Sequence, residues 1–156
     1  MLLERPRAHE KSDVITGDGL SFGPNDPACS SPASVPGFRR WRDIRPELAG
    51  EPYVFTAAQR VPPGVSPFAV IREDEGLTVV LTRNDADRAG LPYDYVAARI
   101  TLRVDSALAD VGLTALFSRV LADAGISCNV IAGRAHDHLF VDWNRGAEAL
   151  ALLRAL

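Results

Sequence analysis

Cysteine is nearly missing from this chain. Only Cys29 and Cys128 occur among 156 residues, the first in a Ser/Pro-rich stretch and the second in an apolar run. Such usage argues against a disulfide framework and makes a reducing cytoplasm the expected compartment. Long apolar runs are missing as well, and none approaches the roughly 18 residues that a membrane span requires. The opening Met-Leu-Leu-Glu-Arg-Pro-Arg has no apolar core of a secretory signal, and Glu4, Glu10 and Asp13 argue against a transit peptide. Excess positive charge is absent. The formal net charge is −3 and the pI about 5.6, so no general affinity for nucleic acid is implied. Catalytic signatures are also lacking. There is no Gly-x-Ser-x-Gly elbow, no Gly-rich phosphate loop and only three histidines. The expectation is therefore a protein that is not an enzyme and holds no cofactor or metal.

What is present is an ordinary globular balance, with 47% hydrophobic and 24% charged residues. Residues 1–45 are the exception, being poor in apolar side chains and punctuated by Gly and Pro. Such a segment buries too little surface to offset its ordering entropy, and it is expected to be largely disordered. Within it, Phe38-Arg-Arg-Trp-Arg42 mixes basic and aromatic residues. That run reads as a solvated linker with one anchoring Trp rather than as a nucleic-acid contact.

From residue 46 the patterning changes. Tyr53-Val-Phe55 is a short strand candidate, and Val61-Pro-Pro-Gly64 forces a turn. Phe68–Ile71 and Leu77–Leu81 read as strands joined by a hairpin ending at Gly76. A short helix follows, capped by Asn84 or Asp85 and stopped by Gly90. The acidic triplet Glu73, Asp74, Glu75 reads as a solvated turn rather than a cation site. In Ala98–Val104, Ile100, Leu102 and Val104 alternate with Arg99, Thr101 and Arg103, the pattern of a strand with one buried face. The spacing then becomes helical, with the stripe Leu113, Leu116, Phe117, Val120, Leu121 and Ala124, an N-cap at Asp110 and a stop at Gly125. Strands at Ser127–Ala132 and His138–Val141 flank a turn at Gly133–Asp137, and a last helix runs from about Arg145, capped by Asp142 or Asn144. The two strand–hairpin–strand–helix halves look alike, which suggests an internal repeat.

The phrases Val111-Gly-Leu113 and Leu121-Ala-Asp-Ala-Gly-Ile-Ser-Cys-Asn-Val130 resemble the ACT domain family. Gly112, Gly125, Ile126 and Asn129 stand where that family places a loop glycine, the Gly-Ile pair and an Asn on the next strand. Val111 stands where it often has Pro. Asp137-His-Leu-Phe-Val141 resembles the hairpin of the ACT subgroup that includes the CASTOR arginine sensors and small bacterial ACT proteins. The resemblance covers about residues 48–156. It implies an α+β fold of tandem ACT-like (ferredoxin-like, βαββαβ) units with antiparallel sheets, the first abbreviated over residues 46–96 and the second at 97–156. The chain reaches Leu156 without a fourth strand for the second unit, so a closing strand is expected from elsewhere, with Tyr53–Phe55 a candidate, or another subunit covers the edge.

The candidate site is the strand-to-helix handover. A helix start exposes N–H groups without partners and partial positive charge, which favours an anion. Gly112 permits close backbone approach, Asp105 and Asp110 offer partners for an ammonium, and Asn129 supplies a donor and an acceptor. With Val111 and Leu113 these residues suit the zwitterionic end of a free amino acid. Gly112→Val is expected to block binding and spare the fold. The plain alternative is that Asp110 only caps a helix and Gly112 only packs. His136-Asp-His138 places two imidazoles on one face, yet a zinc site needs more ligands, so a turn-stabilising role is expected. The functional expectation is a regulatory module that senses an amino acid or similar metabolite, acts as a homodimer or larger homo-oligomer, and touches neither nucleic acid nor membrane. The alternative is an ACT-type interaction protein that only dimerises.

Overall fold

The alternation over residues 98–104 does produce a strand, and that strand lies at the middle of the molecule. The computed structural model describes residues 44–104 and 108–156. The expected tail, with Cys29, Phe38 and Trp41, lies outside the described residues apart from its last two positions. In chain order the elements are β1 (Arg45–Ala58), β2 (Ala69–Glu73), β3 (Gly76–Thr82), α1 (Arg83–Ala89), β4 (Val96–Arg103), α2 (Leu113–Asp123), β5 (Asn129–Ala132), β6 (Asp137–Asp142) and α3 (Gly146–Arg154). A single 3-10 turn at Trp143–Arg145 leads into α3.

All six strands join one antiparallel sheet in the order β2-β3-β1-β4-β6-β5. The order reads alike from both edges: a hairpin, then the first strand of its own unit, then the first strand of the other. The α+β architecture of two tandem units, the first abbreviated, is therefore present. Between β1 and β2, where the second unit has α2, the first has only bends and turns. The second unit's fourth neighbour is β1, which pairs with β4 through Arg45–Leu48 and Pro52–Val54. Each unit thus borrows the other's first strand as its closing strand.

β1 is far longer than the three-residue strand expected. Pro46, Gly50 and Pro52 argue locally against a long central strand. The ladder accommodates them by slipping register between Leu48 and Pro52, so that Ala49, Gly50 and Glu51 oppose Arg99 alone.

The helices lie on one face. Ala98, Ile100 and Leu102 of β4, Leu139 and Val141 of β6, Phe117 and Leu121 of α2, and Ala149 and Leu153 of α3 form the largest core. Beside it, Val54, Val79, Leu81 and Ala86 pack α1 against the first unit. The opposite face of β4 is not simply wet, as one-sided alternation suggested. Ala97 is buried there with Tyr53, Val80 and Phe140, and Thr101 is nearly so. The Phe68 ring, just ahead of edge strand β2, meets the His138 ring on β6 at 4.8 Å. Three strands separate β2 from β6, so the sheet curls and its helix-free face is concave.

The helix starts differ from expectation: α3 has Arg145 at its N-cap, and the expected Asp142 caps the 3-10 turn ahead of it. Thr82, not Asn84 or Asp85, caps α1, its side chain accepting from the Asp85 amide at 3.2 Å. Gly112, not Asp110, occupies the N-cap of α2. The stops are as expected. Gly90 and Gly125 take left-handed φ of 65° and 66°. Beyond Gly125, the Ile126 amide returns to the Leu121 carbonyl at 2.8 Å, and Ile126 is buried.

Candidate functional site

The turn between β5 and β6 folds beside the start of α2 because β6 pairs with β4. Asp137 at the head of β6 lies opposite Leu102, close to where β4 ends. The two segments enclose a hollow of about 90 Å³, lined on one side by Leu108, Asp110, Leu113 and Thr114 and on the other by Ala132, Gly133, Arg134 and Asp137.

Gly112 shapes the first wall. Its φ of 107° is a conformation L side chains rarely adopt, and from it the chain enters the helix, with the Leu116 amide donating to the Gly112 carbonyl at 2.9 Å. Leu113 and Thr114 of the first turn line the hollow, so the positive end of α2 stands beside it. The second wall is held by the Gly133 amide, which donates to the His136 carbonyl at 2.9 Å. Arg134 brings a cation to the rim. Asp137 brings a carboxylate whose burial pushes its pKa above the ordinary value.

The expected site residues divide. Asp110 and Leu113 line the hollow. Gly112 stands at its edge as the N-cap, and Val111 is 74% exposed beside it. Asn129 pairs with Phe140 at the far end of β5 from Ala132 and is not brought to the hollow. Asp105 lies outside the described residues. Arg134, Asp137 and Thr114 were not singled out from sequence. The signal for the first two was the mixed charge of a turn whose strand neighbours β4.

A second hollow of about 240 Å³ occupies the same place in the first unit, between the end of β1 (Ala57, Ala58, Gln59) and the β2–β3 turn (Glu73, Glu75, Gly76). Its charged lining is acidic only, and no helix starts there. Glu73 accepts from the Thr78 hydroxyl, which ties down the acidic turn.

The two histidines of His136-Asp-His138 are engaged within the fold. His138 Nδ1 lies 3.1 Å from the Thr101 hydroxyl, and His136 Nε2 lies 3.3 Å from an Arg103 nitrogen. Among the described residues no three His, Cys, Asp or Glu side chains converge to hold a metal. Cys128 is half-buried, and desolvation pushes its thiol up to about 11, which leaves it protonated and a poor nucleophile. No helix among the described residues is long and apolar enough to cross a membrane.

Comparison with known proteins supplies a family. A model described as ACT domain matches residues 41–98. A crystal structure of a Vibrio cholerae protein of unknown function, described as a possible transport protein, is 43% identical with TM-score 0.66, covering 72% of this chain and 88% of that one. An Agrobacterium tumefaciens protein is 18% identical with TM-score 0.60, covering 72% and 87%. The ligand-free regulatory subunit of aspartate kinase from Thermus thermophilus is 9% identical with TM-score 0.54, covering 73% and 98%. At such identities the last two show likeness of fold alone. No curated protein matches this chain.

Proposed function

Because this chain belongs to the ACT domain family, we propose that it is a non-catalytic regulatory module that binds a free amino acid in the hollow between the start of α2 and the β5–β6 turn. We take residues 46–96 and 97–156 as its two units. The observation that carries the reading is the charge layout of that one hollow. The start of α2 and Arg134 stand on the side of an anion, and Asp110 and Asp137 on the side of a cation. A zwitterion presents both charges on neighbouring groups. Charged hydrogen bonds of this kind contribute about 1.5–3 kcal/mol each, so a few give roughly micromolar affinity after ordering costs.

Binding becomes regulation if the ligand prefers one assembly over another. Edge strand β2 supports assembly as a homo-oligomer, since Val70 and Ile71 are 44% and 41% exposed on it. The alternative, an ACT-type dimerisation protein without ligand, rests on the same edge.

A panel of thermal melts with the standard amino acids tests the choice. One or a few that raise the melting temperature selectively support the sensor. A melt that depends on protein concentration but on no amino acid supports the dimerisation module and sinks the sensor.

A further inference from the structure

The opposite face of the sheet, the concave one away from the helices, holds a second set of chemistry. On β4, Arg99, Thr101 and Arg103 point away from the helices. Phe140 and His138 on β6 stand opposite the first two, and His136 meets the third. The Arg99 guanidinium carbon lies 4.8 Å from the centroid of the Tyr53 ring and 4.6 Å from that of Phe68. The bulge in β1 faces this residue, a device that re-aims side chains.

Arg99 has no carboxylate partner among the described residues, and its Nε is buried without a hydrogen-bond acceptor. Glu51, on the bulge, accepts instead from the Tyr53 hydroxyl at 3.5 Å. Arg103 is matched by Glu47 at 2.6 Å. His136 Nε2 lies 3.3 Å from Arg103 Nη1, and its Nδ1 is also buried without a partner. A guanidinium is always charged, and buried donors left unpaired are costly. This face therefore carries donors in excess of acceptors.

We propose that the concave face is a binding site for the carboxylate of a small organic acid with an apolar body, centred on Arg99. The Tyr53 and Phe68 rings, themselves 5.8 Å apart, both lie to one side of the guanidinium, whose planar fork matches a carboxylate. Thr101 Oγ1 and the neighbouring His138 add polar contacts one row along. The charge count selects a monoanion. Burial and the nearby Arg99, His136 and Arg103 keep His138 neutral, and Glu47 cancels Arg103, so Arg99 is the uncompensated cation of the strip. Tyr53, Phe55, Phe68 and Phe140 form the apolar surroundings.

The test is an NMR titration of amide shifts with phenylacetate, acetate and inorganic phosphate, in the native chain and in Arg99→Gln and Arg99→Lys, with circular dichroism to confirm folding. Phenylacetate is expected to saturate and to shift the amides of Arg99, Thr101 and His138. Arg99→Gln is expected to weaken it at least about tenfold, the loss of one charged hydrogen bond, and Arg99→Lys to weaken it less. Should Arg99→Gln fail to fold, Arg99→Lys decides, because it keeps the charge but loses the fork. Unchanged affinity in the folded variant would overturn the proposal. So would a preference for phosphate, saturation by none of the three, or self-association that the Arg99 variant dissolves, since a second copy would then fill the site.

Discussion

Thr101 Oγ1 and His138 Nδ1 share a hydrogen bond of 3.1 Å across β4 and β6, on the face of the sheet away from the helices. The pair links residues 37 positions apart, and its histidine titrates abnormally. Desolvation first, then Arg99, His136 and Arg103, hold the His138 pKa below the ordinary 6.5. The unfolded chain therefore binds a proton that the folded chain refuses, so stability falls as pH drops below 6.5 toward the folded value. Urea midpoints measured between about pH 5 and 7.5 should rise with pH, and His138→Gln should flatten the rise. Asp137, with its pKa raised by burial, acts in the opposite sense at lower pH, where protonation relieves it.

Gly146 opens α3 directly over Ala98. A Cβ at Gly146 would stand 2.6 Å from the Ala98 Cβ. Gly146→Ala should therefore cost about 1–3 kcal/mol as an overpacked contact. Ala98→Gly in the same chain should recover part of that loss, and a double-mutant cycle by urea unfolding measures the coupling.

Phe117 of α2 is fully buried among β4, β6 and α3. Phe117→Ala should destabilise the domain by about 3–5 kcal/mol. Val111→Ala, at an exposed position on the same approach to the helix, should stay within about 0.5 kcal/mol. Equal losses from the two would mean that α2 does not dock as described.

The Gly112 φ of 107° changes what a substitution there measures. Even Gly112→Ala should cost about 1–3 kcal/mol of backbone strain, so a loss of binding in Gly112→Val would mix strain with blockage of the hollow. Arg134→Gln is the cleaner probe, because Arg134 is exposed on the rim. It should leave the melting temperature of the free protein unchanged and shrink the rise produced by an amino acid. An undiminished rise would remove the arginine from the site.

Periodicity made much of this fold legible. The stripe on α2 emerged as buried Leu113, Phe117 and Leu121 with Leu116 and Ala124 packed beside them. The hairpin at Gly76 and the stops at Gly90 and Gly125 were readable from residue type, because few other residues take their positive φ, and Gly133 fits its hairpin because a Cβ there would stand 2.7 Å from the His136 carbonyl oxygen. Caps were less legible. Thr82, Asn84 and Asp85 are all good cap residues, and only the path of β3 decides where the chain turns. β1 was read as a fragment because Pro46, Gly50 and Pro52 look like breakers. A bulge opposite Arg99 absorbs them.

For the candidate site, the sequence pointed to the handover into α2, and half of the hollow is there. The other half comes from the β5–β6 turn, more than twenty residues further on, and no local pattern announces that pairing. Local chemistry determined the hairpins, the helix stops, the stripe of α2 and the likeness of the two halves, because each follows from the conformations nearby residues allow. Strand order decided the rest: which first strand closes which unit, which turn faces the helix start, and how Arg99 comes to lie against the rings of Tyr53 and Phe68. Those are contacts between distant segments, set by burying two faces of one curled sheet at once.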